Sequence, residues 1–127
     1  MKIMNNYTIY CTPEQTKKAF KLGAPLHVIE ATEEPQIKAI NIIANGRHKE
    51  EYTLVDNMLI NNPTAEQLVS WLELEENGFN FELTRDYAIL EHDKIGTMGM
   101  YEMPRKESAL VAIDCALEYL ANNNLIK

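Results

Sequence analysis

The chain has little of what most chemistries require. Its 127 residues include two cysteines, Cys11 and Cys115, and two serines, Ser70 and Ser108. The thiols belong to no Cys-x-x-Cys pair, so a disulfide framework and a zinc knuckle are excluded and both read as free. Neither serine stands in a Gly-x-Ser-x-Gly elbow, which removes the nucleophile of an α/β hydrolase. Glycine and proline number five each, and no Gly-, Pro- or Ser-rich linker divides the sequence, which points to a single domain over residues 1–127. Gly96-Thr97-Met98-Gly99 lacks the lysine and the helix start of a phosphate loop, and reads as a bulge or a close approach within a strand. No apolar run reaches the roughly eighteen residues of a membrane span, because Ala109–Ala121 is interrupted by Asp114 and Glu118. The opening Met1-Lys2-Ile3-Met4-Asn5-Asn6 has no apolar leader, so the expected location is the cytoplasm.

Charge of one sign is also scarce in half of the sequence. The net charge is −7. Residues 1–63 carry seven basic and seven acidic side chains, whereas residues 64–127 carry five basic and twelve acidic. All of the excess lies in the second half. Nucleic-acid affinity comes largely from neutralising phosphates, so this balance argues against DNA or RNA as a partner.

What is present is a clear set of helix starts. Thr12-Pro13-Glu14-Gln15 places a hydroxyl at the N-cap, proline at the first helical position and glutamine three residues beyond the cap, predicting a helix from Pro13 to about Leu22. Gly23 and Pro25 end it. Thr64-Ala65-Glu66-Gln67 repeats the capping pattern ahead of Leu68, Val69 and Leu72, predicting a second helix that ends near Asn77-Gly78. A third, from Arg105 to Ala121, stacks Leu110, Ile113, Leu117 and Leu120 on one side, with Val111, Cys115 and Tyr119 as a second apolar line. Strands are expected at Tyr7–Cys11, at Ile37–Ala44 paired through Asn45-Gly46 with Tyr52–Val55, at Phe79–Leu83, at Tyr87–Glu91 and at Ile95–Tyr101. The fold class is α+β, a mainly antiparallel sheet with about three helices on one side, its C-terminal half running helix-strand-strand-strand-helix. The two capping boxes reflect either a weak internal duplication of residues 12–61 and 64–123 or one local solution reached twice.

Candidate reactive groups are few and scattered. His92 in Glu91-His92-Asp93-Lys94 reads as part of a solvated turn, His48 as part of a charged hairpin arm and His27 as the exposed side of a short strand. No two histidines have ligand spacing, so no metal or other cofactor is expected. Cys11 directly precedes a helix start, where the dipole favours a thiolate, but a strand-end cysteine is more often buried and inert. A small enzyme would need two or more of His27, His48, His92, Cys11, Asp86 and Asp93 to converge in a pocket. The candidate interaction surface is Trp71 with Glu73, Glu75 and Glu76, together with the Val111, Cys115 and Tyr119 line, which would meet a protein partner or a second copy of the chain.

Two resemblances bear on this reading. Pro63–Leu72 (PTAEQLVSWL) and Arg105–Leu120 (RKESALVAIDCALEYL) resemble small proteins encoded by phages, prophages and mobile elements of Bacteroides-like bacteria, with Thr12–Gly23 a weaker echo. That group has no known activity, so the resemblance implies a genomic setting and no site residues. The order helix, three strands, helix, with Arg105-Lys106 opening the last helix, is similar to double-stranded RNA-binding domains, which grip phosphate at that helix start. Glu107 follows at once, in the acidic half. The expectation is therefore a non-enzymatic accessory or interaction protein, with an RNA-binding-like module and a small enzyme as the alternatives.

Overall fold

The computed structural model describes residues 2–3, 9–31, 52–55 and 58–123. The Asn45-Gly46 hairpin, the Ile37–Ala44 strand and His48 lie outside them. The described elements follow the order β1 (Lys2–Ile3), α1 (Pro13–Lys21), β2 (Val28–Ala31), β3 (Tyr52–Val55), β4 (Met58–Asn61), α2 (Ala65–Leu72), β5 (Phe79–Leu83), β6 (Ala88–His92), β7 (Gly96–Tyr101) and α3 (Arg105–Asn123). The class is α+β, and the C-terminal half runs helix-strand-strand-strand-helix as the sequence implies.

The strands form two sheets. One has four strands in the order β1-β5-β6-β7, antiparallel except for the parallel β1–β5 pair, and the other has three antiparallel strands in the order β2-β4-β3. Alternation sets the core face of the first sheet: Phe79, Phe81 and Leu83 are buried while Asn80 is exposed, and across the ladder Ala88, Leu90 and His92 turn inward. The edge strand β7 carries a bulge, because Leu90 pairs with Gly99 and Glu91 with Thr97, leaving Met98 as the extra residue. Gly99 also bears on the packing there. A Cβ at this position would meet the Tyr101 hydroxyl at 2.5 Å, so the glycine makes room for that ring.

The last helix is the spine of the core and contacts β5, β6 and β7 as well as α1 and α2. Its deepest residues are Ala109, Ala112, Ile113, Ala116 and Leu117, whereas Leu110 and Leu120 are only partly covered. The buried seam is rotated toward the alanines from the leucine stripe that spacing alone suggests. Small side chains let neighbouring elements approach the helix backbone, and Gln15 Nε2 donates directly to the Leu110 carbonyl at 2.8 Å.

Three further expectations are corrected. Tyr7–Cys11 is not a ladder strand over its described part: Tyr10 makes an isolated bridge to Thr64, flanked by Cys11 N–H to the Pro63 carbonyl at 2.9 Å and Ala65 N–H to the Ile9 carbonyl at 2.7 Å. The second helix ends at Leu72, not near Asn77-Gly78, because Asn77 Nδ2 donates to the Trp71 carbonyl and folds the chain back on the helix end. The strand Met58–Asn61, absent from the sequence reading, is the central strand of the three-stranded sheet.

Candidate functional site

Two concave regions flank the end of α2, and the same short turn separates them. Glu73 closes the helix, and its carboxylate accepts the Phe81 N–H at 2.9 Å, tying the turn to the first strand of the larger sheet. Gly78, at φ +78°, reverses the chain into β5 and accepts the Asp93 N–H at 2.9 Å. The helix end and the β6–β7 turn are thereby locked together.

The first region is an acidic cavity of about 490 Å³ bordered by Glu73, Glu75, Glu91, His92 and Asp93. It brings together two of the reactive candidates, His92 and Asp93, and three of the acidic residues around them. His92 is not in a solvated turn, as its neighbours suggest. It is the last residue of β6, 8 % exposed, with its ring edge-on to Phe79 and against Tyr119, each at 4.8 Å between centroids. Both ring nitrogens have backbone partners. Nδ1 accepts the Lys94 N–H at 3.2 Å, which leaves Nε2 to carry the proton and donate to the Asn77 carbonyl at 3.0 Å. With neither nitrogen free, the imidazole is a clasp between two turns. Among the described residues, no group of three or more histidine, cysteine, aspartate and glutamate side chains has metal-holding geometry.

Elsewhere the candidates are dispersed. Cys11 is buried, and burial, with the Asp114 charge adding to it, pushes its thiol up to about 12, the opposite of an activated nucleophile. His27 and Asp86 are exposed and lie outside the acidic cavity, His27 on the wall of the second concave region. Lys106 is exposed with Glu102 and Glu107 exposed beside it.

Within the candidate interaction surface, the Val111, Cys115 and Tyr119 line lies partly covered by its own chain. The Tyr101 hydroxyl is hydrogen-bonded to Cys115, which together with partial burial holds that phenol up at about 12, and Tyr119 stacks edge-on against Phe79 at 5.8 Å. Trp71, Glu75 and Glu76 have a different setting. Glu75 and Glu76 are exposed, and Trp71 is half-buried, one side against the core and the other on the second concave region.

That second region is a groove of about 830 Å³ running between α2 and the start of β2, with Trp71, Tyr10, Leu26, Asn61 and Gln67 among its walls. The signals that place these residues are local. The Thr64 box starts α2 and sets the phase that turns Trp71 outward from the Leu68, Val69 and Leu72 stripe, while the Tyr10–Thr64 bridge sets the tyrosine beside it. Trp71 was legible as a candidate from its flank position; Tyr10 was not, since its role depends on a single long-range bridge. No protein-family model, curated protein or solved structure matches this chain.

Proposed function

We propose that the protein is a non-enzymatic interaction module, an accessory protein of a phage or mobile element, that engages a protein partner through the surface around the end of α2. The observation that carries this reading is the position of Trp71: a half-buried indole on the wall of an open groove, with the exposed carboxylates of Glu75 and Glu76 in the turn that follows its helix. An aromatic side chain held by its own core on one side and open to a groove on the other is a common anchor of a binding hot spot. The occupied nitrogens of His92 and the raised pKa of Cys11 point the same way, since the groups best suited to chemistry serve the fold. The half-chain charge imbalance adds that the partner's contacting surface is basic.

The experiment is affinity capture from the native host with the wild-type chain and with a Trp71→Ala, Glu75→Lys, Glu76→Lys variant, followed by titration of the purified partner. A protein retained by the wild type and lost from the variant is the expected result. Turnover of a small molecule with no retained protein contradicts it.

A further inference from the structure

The larger sheet ends on β7, which pairs with β6 along one edge and with nothing among the described residues along the other. An open edge is a template for another strand, and chains commonly guard it with a charge, a proline or a bulge. Residues 95–101 carry no charged side chain and no proline, in a chain whose net charge is −7. Hydrophobic side chains gather there instead: Met100 is 58 % exposed, Ile95 just before the strand 52 % and Met103 just after it 36 %. The guard that is present is the bulge at Met98.

That bulge selects what can pair. Thr97 stands opposite the exposed Glu91 and Met100 opposite Ile89, so both point away from the core, while Met98 packs against the core and Gly99 lies opposite the buried Leu90. The two outward positions are therefore separated by two core-side positions, where a regular strand has one. A regular strand laid along β7 keeps its faces matched on one side of the bulge only. A second β7 running antiparallel carries the same irregularity and matches on both sides: Thr97 falls opposite Met100, Met98 opposite Gly99, and Gly96 opposite Tyr101. Each of the larger core-side residues then meets a glycine, so no bulky pair collides. Charge agrees with this register. Lys94 of one copy comes within one residue of Glu102 of the other, at both ends of the paired strands, and both side chains are exposed with no ionic partner among the described residues. We propose that β7 joins two copies of this chain edge to edge about a twofold axis, making one continuous sheet from the two four-stranded ones.

The test is sedimentation velocity of the full chain from micromolar to millimolar concentration, where the mass is expected to rise from 14.6 kDa toward twice that value. Thr97→Lys with Met100→Lys places like charges opposite one another in both cross-strand pairs, whereas Thr97→Glu with Met100→Lys places opposite charges there. The like-charged dimer should dissociate about tenfold more readily than the oppositely charged one. Both variants alter the same two exposed side chains, so a general cost of substitution cancels from the comparison. A chain that stays at 14.6 kDa at millimolar concentration overturns the proposal. A dimer that responds alike to the two variants also overturns it, because its contact then lies elsewhere or in another register.

Discussion

Two copies of one capping motif, set in different surroundings, do different work in this molecule. At Thr12–Gln15 and at Thr64–Gln67 the hydroxyl accepts the glutamine N–H and the glutamine Oε1 accepts the threonine N–H, with all four distances between 3.0 and 3.1 Å. The local chemistry is the same. Gln15 is 1 % exposed, and its Nε2 reaches the Leu110 carbonyl and Asp114 Oδ1, both at 2.8 Å, so the first box fastens α1 to α3. Beside it the Asn62 side-chain oxygen accepts from Thr53 and lies 2.8 Å from Thr16 Oγ1, joining α1 to the smaller sheet. Gln67 is exposed on the groove, and its Nε2 has no partner among the described residues. The difference teaches that a motif fixes where a helix begins, while tertiary context decides whether its spare donor serves the fold or stays at the surface.

The most damaging way to break the comparison is Gln15→Ala. It removes a buried amide and leaves the Leu110 carbonyl without that donor, a loss expected to be about 2–3 kcal/mol by urea denaturation. Gly78→Ala attacks the clasp between the two cavities. A Cβ there would sit 3.1 Å from His92 Nε2 on a backbone at φ +78°, so about 1–2 kcal/mol is expected by the same measurement, with the Lys94 amide losing hydrogen-exchange protection. Gln67→Ala removes half of an exposed capping box and should cost no more than about 1 kcal/mol by the same measurement. The remaining effect is confined to alkali. The folded-state pKa values of Cys11 and Tyr101 are both raised to about 12, from ordinary values of 9.0 and 10.0. A raised folded pKa adds stability that is fully present below the unfolded value and is lost as pH climbs through the folded one. Denaturation midpoints should therefore hold steady to about pH 9 and fall toward pH 12, and iodoacetamide at neutral pH should leave Cys11 unlabelled in the folded chain.

Much of the fold was legible because it is written locally. The capping boxes, the Gly23 reversal at φ +97° and the Phe79–Leu83 alternation need only neighbouring residues to be read. The Met98 bulge was also foreshadowed by the spaced glycines around it. What was missed depends on distant partners. His92 looked solvated among Glu91, Asp93 and Lys94, yet strand phase turns it inward beneath Tyr119, a residue 27 positions later in the sequence. Met58–Asn61 becomes a central strand only once β2 and β3 pair on either side of it. Of the site, Trp71 and its trailing glutamates stood out by composition. The opposite wall did not, because Tyr10, Pro25 and Leu26 are brought to it by the fold.

The contrast between the two glutamine amides can be observed directly in a ¹⁵N-labelled sample by following exchange of their side-chain NH₂ protons with water. Slow exchange at Gln15 and rapid exchange at Gln67 is the outcome this account requires. Equal rates at the two positions would show that the boxes are equivalent, and the division between a fastening site and an exposed one would not stand.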